Sequence, residues 1–285
     1  MTSQWGNILT FEFDPSEAIR ENSFLTPVYF NRQVLVSYLY DSRFLCEFIS
    51  ETYGIVHGPD FQISFGINVN GSVIAWLGDL QKTIPIRERF YWLIENKDPE
   101  GETASEFLDS QINTVFTSPP AIIQCLNNIV KFNAAFHSKY GVHLYHDRSV
   151  DERIYETRRY KRLILNNIDD FKRFISELNE ILNENINNPE IRRLLSCRGH
   201  VIPEGLKGIK LLEMAYKLVL TDTKNLIAPF YYLYDLRIWA DHSNCEKYIN
   251  GVATKLGVAP DEYQALMEAL VKKLSLSAAR LLLLV

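Results

Sequence analysis

Hydrophobic positions along this chain change their spacing near its middle. In the first half, Ile63, Phe65, Ile67 and Val69 alternate with Gln62, Ser64, Gly66 and Asn68. Asn70-Gly71 follows, and a second apolar run covers Val73–Leu77. A period of two predicts a half-buried strand, and Asn-Gly accepts the positive φ of a type I′ turn, so the segment predicts a β-hairpin. Pro85 then opens PIRERFYWLIEN, a predicted helix with Ile86, Phe90, Leu93 and Ile94 on one side. Asn96–Thr103 has the composition of a loop. Ser118-Pro119-Pro120 predicts the start of a helix that runs to Tyr140, with proline in its first turn and Gly141 as its stop.

Beyond residue 150 the spacing becomes helical. Ile168, Phe171, Phe174, Ile175, Leu178, Ile181 and Leu182 form one stripe that ends before Pro189. Leu206, Ile209, Leu212, Met214 and Leu218 predict a second helix over Leu206–Leu220. A third is predicted from Asn225 to His242, with Pro229 near its first turn or kinking it. A fourth is predicted over Asp261–Leu284, with Asp261 as its cap. The expected fold class is α+β. A mixed α/β domain with a β-hairpin covers residues 1–148, and an all-α four-helix bundle covers 149–285.

Composition leaves this picture standing. The chain is 47% hydrophobic and 23% charged, which is enough apolar material for a core. No apolar run approaches the roughly 18 residues of a membrane span. The first residues, MTSQWGNILTFEFDP, lack the basic and apolar regions of a secretory signal. Cys46, Cys125, Cys197 and Cys245 are scattered, as expected of reduced thiols in a cytoplasmic protein.

Charge is unevenly placed. The net charge is −5, but residues 1–146 carry 9 Lys and Arg against 16 Asp and Glu, whereas residues 147–285 carry 21 against 19. The densest basic spot is RIYETRRYKR at 153–162, where Arg158, Arg159, Lys161 and Arg162 flank Tyr160. Such cations can neutralise phosphates, and a tyrosine ring can stack on a base, so these five residues form an RNA-binding candidate. The competing reading is a solvated helix face, since Asp151, Glu152 and Glu156 lie within helical pairing distance.

Other constellations are weaker. His143, His146 and Asp147 offer metal-ligand side chains but no distant third partner, which predicts no metal site. Asp60 with Glu95 and Lys97 has the residue types of a metal-dependent nuclease, but Glu95–Lys97 is expected at a helix end and not on a strand beside Asp60. Asp79 with Arg87, Glu88 and Arg89 is read equally well as structural ion pairing. Phosphate-loop, dinucleotide and nucleophile-elbow motifs are absent, and no cofactor is expected.

The sharpest candidate lies on the third predicted helix, in YLYDLRIWAD-H. Arg237 and His242 stand five residues apart, with Ile238 directly after the arginine. This R-Φ-x-x-x-H spacing on the third helix of a bundle resembles the HEPN superfamily, over roughly residues 150–285. The resemblance implies metal-independent RNA cleavage, a site lined by Arg237 and His242, and completion of the cleft by the same helix of a second subunit. It also implies a 2′,3′-cyclic phosphate and a 5′-hydroxyl as products. An imidazole can exchange protons near neutral pH, and a guanidinium can hold a phosphate through its forked donors. The expected function is an endoribonuclease of the toxin or antiviral-defence type. Its expected partners are RNA, a second copy of the chain, and an antitoxin or regulatory protein, with no membrane. The alternative is a non-catalytic binding or dimerisation scaffold, in which Arg237 pairs with Asp241 or Asp235 and His242 caps the helix.

Overall fold

The computed structural model describes residues 24–68, 70–99, 106–112, 118–147, 165, 167–221, 225–242 and 245–285. Among these the chain forms one six-stranded antiparallel sheet and eleven α-helices. It divides into two compact units, residues 1–120 with 161–166, and residues 121–160 with 167–285.

The first unit contains β1 (Pro27–Phe30), α1 (Val36–Tyr40), β2 (Leu45–Phe48), β3 (Tyr53–His57), β4 (Gln62–Ile67) and β5 (Val73–Trp76). It continues with α2 (Leu77–Lys82), α3 (Ile86–Ile94), β6 (Asn96–Lys97) and α4 (Glu106–Ile112). The strand order is β2-β3-β4-β5-β1-β6. All four residues of β5 are buried, because both sheet faces are covered. Val73 and Ala75 join a core with Val34, Leu35, Tyr38, Leu80 and Trp92, while Ile74 and Trp76 pack with Tyr29, Tyr53 and Phe107 of α4. Gly66 lets α4 approach the sheet, since a Cβ there would lie 2.7 Å from the Phe107 Cβ. Glu106 anchors the same helix. Its carboxylate accepts from Ser50 Oγ at 2.5 Å and Thr52 Oγ1 at 2.9 Å, and its N–H donates to Thr52 Oγ1 at 3.1 Å.

Two local expectations change. The hairpin is present, but its pairing is Ile67 with Val73 and Gly66 with Ile74. A two-residue Asn70-Gly71 turn would instead oppose Ile67 to Ile74. The link is longer because Asn68 reorganises it. Its Oδ1 accepts from the Asn70 and Ser72 N–H groups, and the Gly71 N–H returns to its carbonyl at 2.9 Å, with Gly71 at φ +81°. In α3, Ile86, Phe90 and Ile94 are 69%, 54% and 75% exposed, and the fully buried residue is Trp92. The Trp92 indole donates to the Tyr38 hydroxyl at 2.9 Å, and that hydroxyl donates to Glu88 at 2.9 Å. Burial, then the Glu88 carboxylate, raise the Tyr38 phenol far above its ordinary value.

The second unit is helical: α5 (Ala121–Tyr140), α6 (Ile168–Asn179), α7 (Asn188–Cys197), α8 (Ile209–Val219), α9 (Ala228–Asp241), α10 (Glu246–Leu256) and α11 (Tyr263–Leu282). The α5 helix was expected in the first domain. It belongs here because its buried Cys125, Phe132 and Phe136 lie on a helix packed along α11. Within the predicted bundle region, α7 and α10 had no counterpart in the sequence expectations. Pro189 in the first turn of α7 starts a helix rather than merely ending one, with Asn187 Oδ1 accepting from the Glu190 N–H at 3.3 Å. Among the described residues, six helices therefore stand where four from residue 149 onward were expected, and α5 adds a seventh to the unit. Asp261 is not the cap of α11. Glu262 holds that position without a side-chain bond. No helix among the described residues is long and apolar enough to cross a membrane.

Candidate functional site

The α9 helix carries the R-Φ-x-x-x-H pair, and its path is set by aromatic burial. Pro229 lies in its first turn, and Phe230, Leu233, Leu236 and Trp239 are its buried stripe. Trp239 packs against Phe171 and Tyr263, with ring centroids at 5.8 and 6.2 Å, and the Lys172 ammonium lies 5.3 Å over its ring. Near the start of the helix, the Tyr231 hydroxyl donates to Glu213 at 2.6 Å, and Lys255 covers the Tyr232 ring at 5.1 Å. These contacts fix the rotation of α9, and that rotation leaves Arg237 half-exposed.

Arg237 is clasped by two carboxylates. Its Nε lies 3.1 Å from Asp241 Oδ2, and a terminal nitrogen lies 3.5 Å from Glu184 Oε1. Asp235 does not join them. Burial raises its carboxyl, against which Lys255 pulls in the opposite direction. His242 is the C-cap of α9, with extended backbone, and its N–H donates to the Ile238 carbonyl at 3.2 Å. Its side chain is exposed at the helix end. The sequence placed Arg237 on the helix, and the helix expected to run to His242 ends one residue before it, at Asp241.

Glu184 is held by a feature that spacing did not reveal. Residues Glu180–Glu184 form a π turn that continues α6. One extra residue in the turn shifts the helical phase by about 100° and carries two polar side chains inward. Asn179 and Asn183 are buried. Asn183 Nδ2 donates to Asn179 Oδ1 at 2.8 Å and to the Phe230 carbonyl of α9 at 3.1 Å. Asn179 Nδ2 then donates to Glu184 Oε1 at 3.0 Å. Ser176 reaches Asp241 at 3.4 Å. The result is a polar chain from Asn183 through Asn179 and Glu184 to Arg237. Its only trace in the sequence is the density of asparagines in NEILNENINN, on a segment otherwise patterned as a buried helix.

The remaining candidates separate. Arg158, Arg159, Tyr160, Lys161 and Arg162 lie outside the described residues, as does Asn244 after His242. His143 stacks on His137 with centroids 4.0 Å apart, and Asn133 Nδ2 lies 3.3 Å from His143 Nδ1. His146 is bound through its backbone to Asn185. Among the described residues, no three His, Cys, Asp or Glu side chains gather as a metal site requires. Asn96 and Lys97 do form a strand, at the sheet edge, with β1 and β5 between it and the β4 strand that follows Asp60. Arg89 donates to the carbonyls of Ile84 and Gln81, and burial raises the Asp79 carboxyl. No protein family, curated protein or solved structure matches the chain.

Proposed function

We propose that the helical unit is a metal-independent endoribonuclease of the HEPN type, acting in toxin or antiviral-defence roles. The observation that supports this reading most directly is the placement of Arg237 and His242. Both are solvent-accessible at the same end of α9, with 36% of the Arg237 side chain exposed. They stand five residues apart, with His242 on extended backbone past the last helical residue. A second copy of α9 across a dimer axis would supply the complementary face.

The chemistry follows from the side chains. His242 would accept the 2′-hydroxyl proton as the 2′-oxygen attacks phosphorus, and the bond to the 5′-oxygen would break as a proton returns to it. The products are a 2′,3′-cyclic phosphate and a 5′-hydroxyl. Arg237 would exchange Asp241 and Glu184 for a phosphate whose charge grows in the transition state. Exposed ion pairs are worth about 0–1 kcal/mol, so that exchange is energetically open.

The carboxylate clasp also favours a second reading, in which α9 belongs to a dimerisation scaffold and Arg237 ties it to α6. Growth toxicity and RNA cleavage of wild type, Arg237→Ala and His242→Ala separate the two. Catalysis requires losses of about 10²–10⁴-fold in both variants. Identical behaviour of all three proteins leaves the scaffold.

A further inference from the structure

A second cationic feature lies elsewhere in the helical unit, where the C-terminal ends of α5 and α7 meet. Three cations surround Tyr140 and Gly141. The Lys139 ammonium and the Arg198 guanidinium lie 5.4 and 5.0 Å from the centroid of the Tyr140 ring. Arg193 donates to the Gly141 carbonyl at 3.1 Å and pairs with Glu190 at 2.5 Å. All three cationic residues are exposed, and 58% of the Arg193 side chain is accessible. One turn before Tyr140, His137 lies flat against His143.

Part of this arrangement is helix capping. Each helix C-terminus carries the equivalent of about −0.5 charge, and cations settle there for that reason. Two such ends and the Glu190 carboxylate amount to about −2, and the Val285 oxygen on Lys139 adds to it, against three full positive charges. The three cations are gathered in one place on a protein whose net charge is −5. Lys247 and Lys255 each lie singly over a tyrosine ring, whereas at this corner two cations share one ring. Arg43, Arg173, Lys217 and Arg237 each rest on a carboxylate side chain. Lys139 meets a ring and a main-chain oxygen of Val285, and Arg198 a ring, with no carboxylate side chain on either among the described residues. Cation–π interactions at exposed sites are worth about 0.5–1 kcal/mol, so both charges can turn toward an arriving phosphate.

We propose that this corner binds the backbone of single-stranded nucleic acid, with Lys139, Arg193 and Arg198 on phosphates and the half-buried Tyr140 ring, backed by Phe136 at 4.5 Å, offered to a base as the two cations turn to phosphate. Interleaved cations and an aromatic ring fit such a strand better than a smooth anionic surface, because bases stack where only phosphates would otherwise be held. Neither Arg237 nor His242 takes part, so strand binding at this corner is independent of the nuclease reading.

Fluorescence anisotropy of the full chain with labelled oligouridine and oligothymidine of about 20 nucleotides tests it, between ~50 and ~200 mM NaCl. The variant is Lys139→Gln/Arg193→Gln/Arg198→Gln, which keeps long polar stems in place. A matched control is Lys247→Gln/Lys272→Gln/Lys273→Gln. The corner variant should weaken binding about tenfold or more and flatten the salt slope by about 2, at about 0.7 for each phosphate no longer neutralised. The control should shift binding by less than about threefold. Equal affinity for RNA and DNA assigns the site to the shared phosphate chain, and tighter RNA binding assigns it to a ribose-sensitive strand. Unchanged binding in the corner variant overturns the proposal, as does an equal loss in the control. Wild-type binding to phosphatidylserine vesicles without binding to either oligonucleotide also overturns it. Arg198→Glu alone serves as a second variant should the triple substitution melt early, and it must lose binding by a similar factor.

Discussion

Arg237 and Asp241 stand one turn apart on α9, and their side chains meet at 3.1 Å. The pair sits at the surface end of a polar chain that begins at the buried Asn183. On the nuclease reading, Asp241 competes with phosphate for the same guanidinium. Asp241→Asn should therefore lower KM for RNA while changing stability by no more than about 1 kcal/mol. Steady-state cleavage and urea melts of the one variant check both halves, and a raised KM counts against the competition.

Asn183 should matter far more to folding than Asp241. It is buried, and it links the π turn to the Phe230 carbonyl. Asn183→Leu removes the donor to both the Phe230 carbonyl and the buried Asn179 Oδ1, a loss of about 1–3 kcal/mol. Equilibrium urea unfolding measures it, and a cost near zero would mean that the link contributes nothing to stability.

Gly66 and Phe107 should behave as one unit. A methyl group at Gly66 would press on the Phe107 side chain from 2.7 Å. Gly66→Ala is expected to cost about 1–3 kcal/mol by overpacking. In a Phe107→Ala background the ring atoms at 2.9 Å are gone while the Cβ at 2.7 Å remains, so the same substitution should cost less without becoming neutral. A double-mutant cycle by thermal or urea melts reads the coupling, and strict additivity would refute it.

Acid should loosen the attachment of α8 to α9. The Glu213 carboxyl is held below its ordinary value by the Lys217 ammonium first and the Tyr231 hydroxyl second. Its folded value thus lies below its unfolded one. The stabilisation is complete above about pH 4.3 and disappears as pH falls through the folded value. Because the pair is open to solvent on its Lys217 side, the effect is about 1 kcal/mol or less. Glu213→Gln should lower the melting temperature at neutral pH and converge with wild type in strong acid.

Thiol reactivity should follow burial. Burial pushes the Cys125 thiol up to about 12, whereas Cys197 is exposed. In a labelling time course on the native protein, Cys197 should react first, and Cys46 and Cys125 only on unfolding. Early labelling of Cys125 would show that the α5–α11 core opens.

Periodicity was sufficient for α6 and α8, and local start and stop residues for α5. The proline start of α5 and its Gly141 stop, at φ +72°, were readable because proline and glycine act locally. The asparagine-rich segment was not readable in the same way. A π turn is stabilised by what packs on it, here the α9 backbone through Asn183, and no residue spacing encodes that partner. The hairpin shows the same limit on a smaller scale. Its strands were legible, but the side chain of Asn68 took over the turn that Asn70-Gly71 alone would make.

The sequence alone determined the strands of one hairpin and six of the eleven helices, and that Arg237 and His242 fall near one helix end, because those follow from short-range sterics and spacing. The tertiary structure decided which charges are occupied. Arg237 meets carboxylates while Lys139 and Arg198 meet a tyrosine ring, since electrostatic partners are set by which helix ends packing brings together. That long-range geometry also decided that α5 belongs to the helical unit, because burial of its stripe required α11, more than a hundred residues further along the chain.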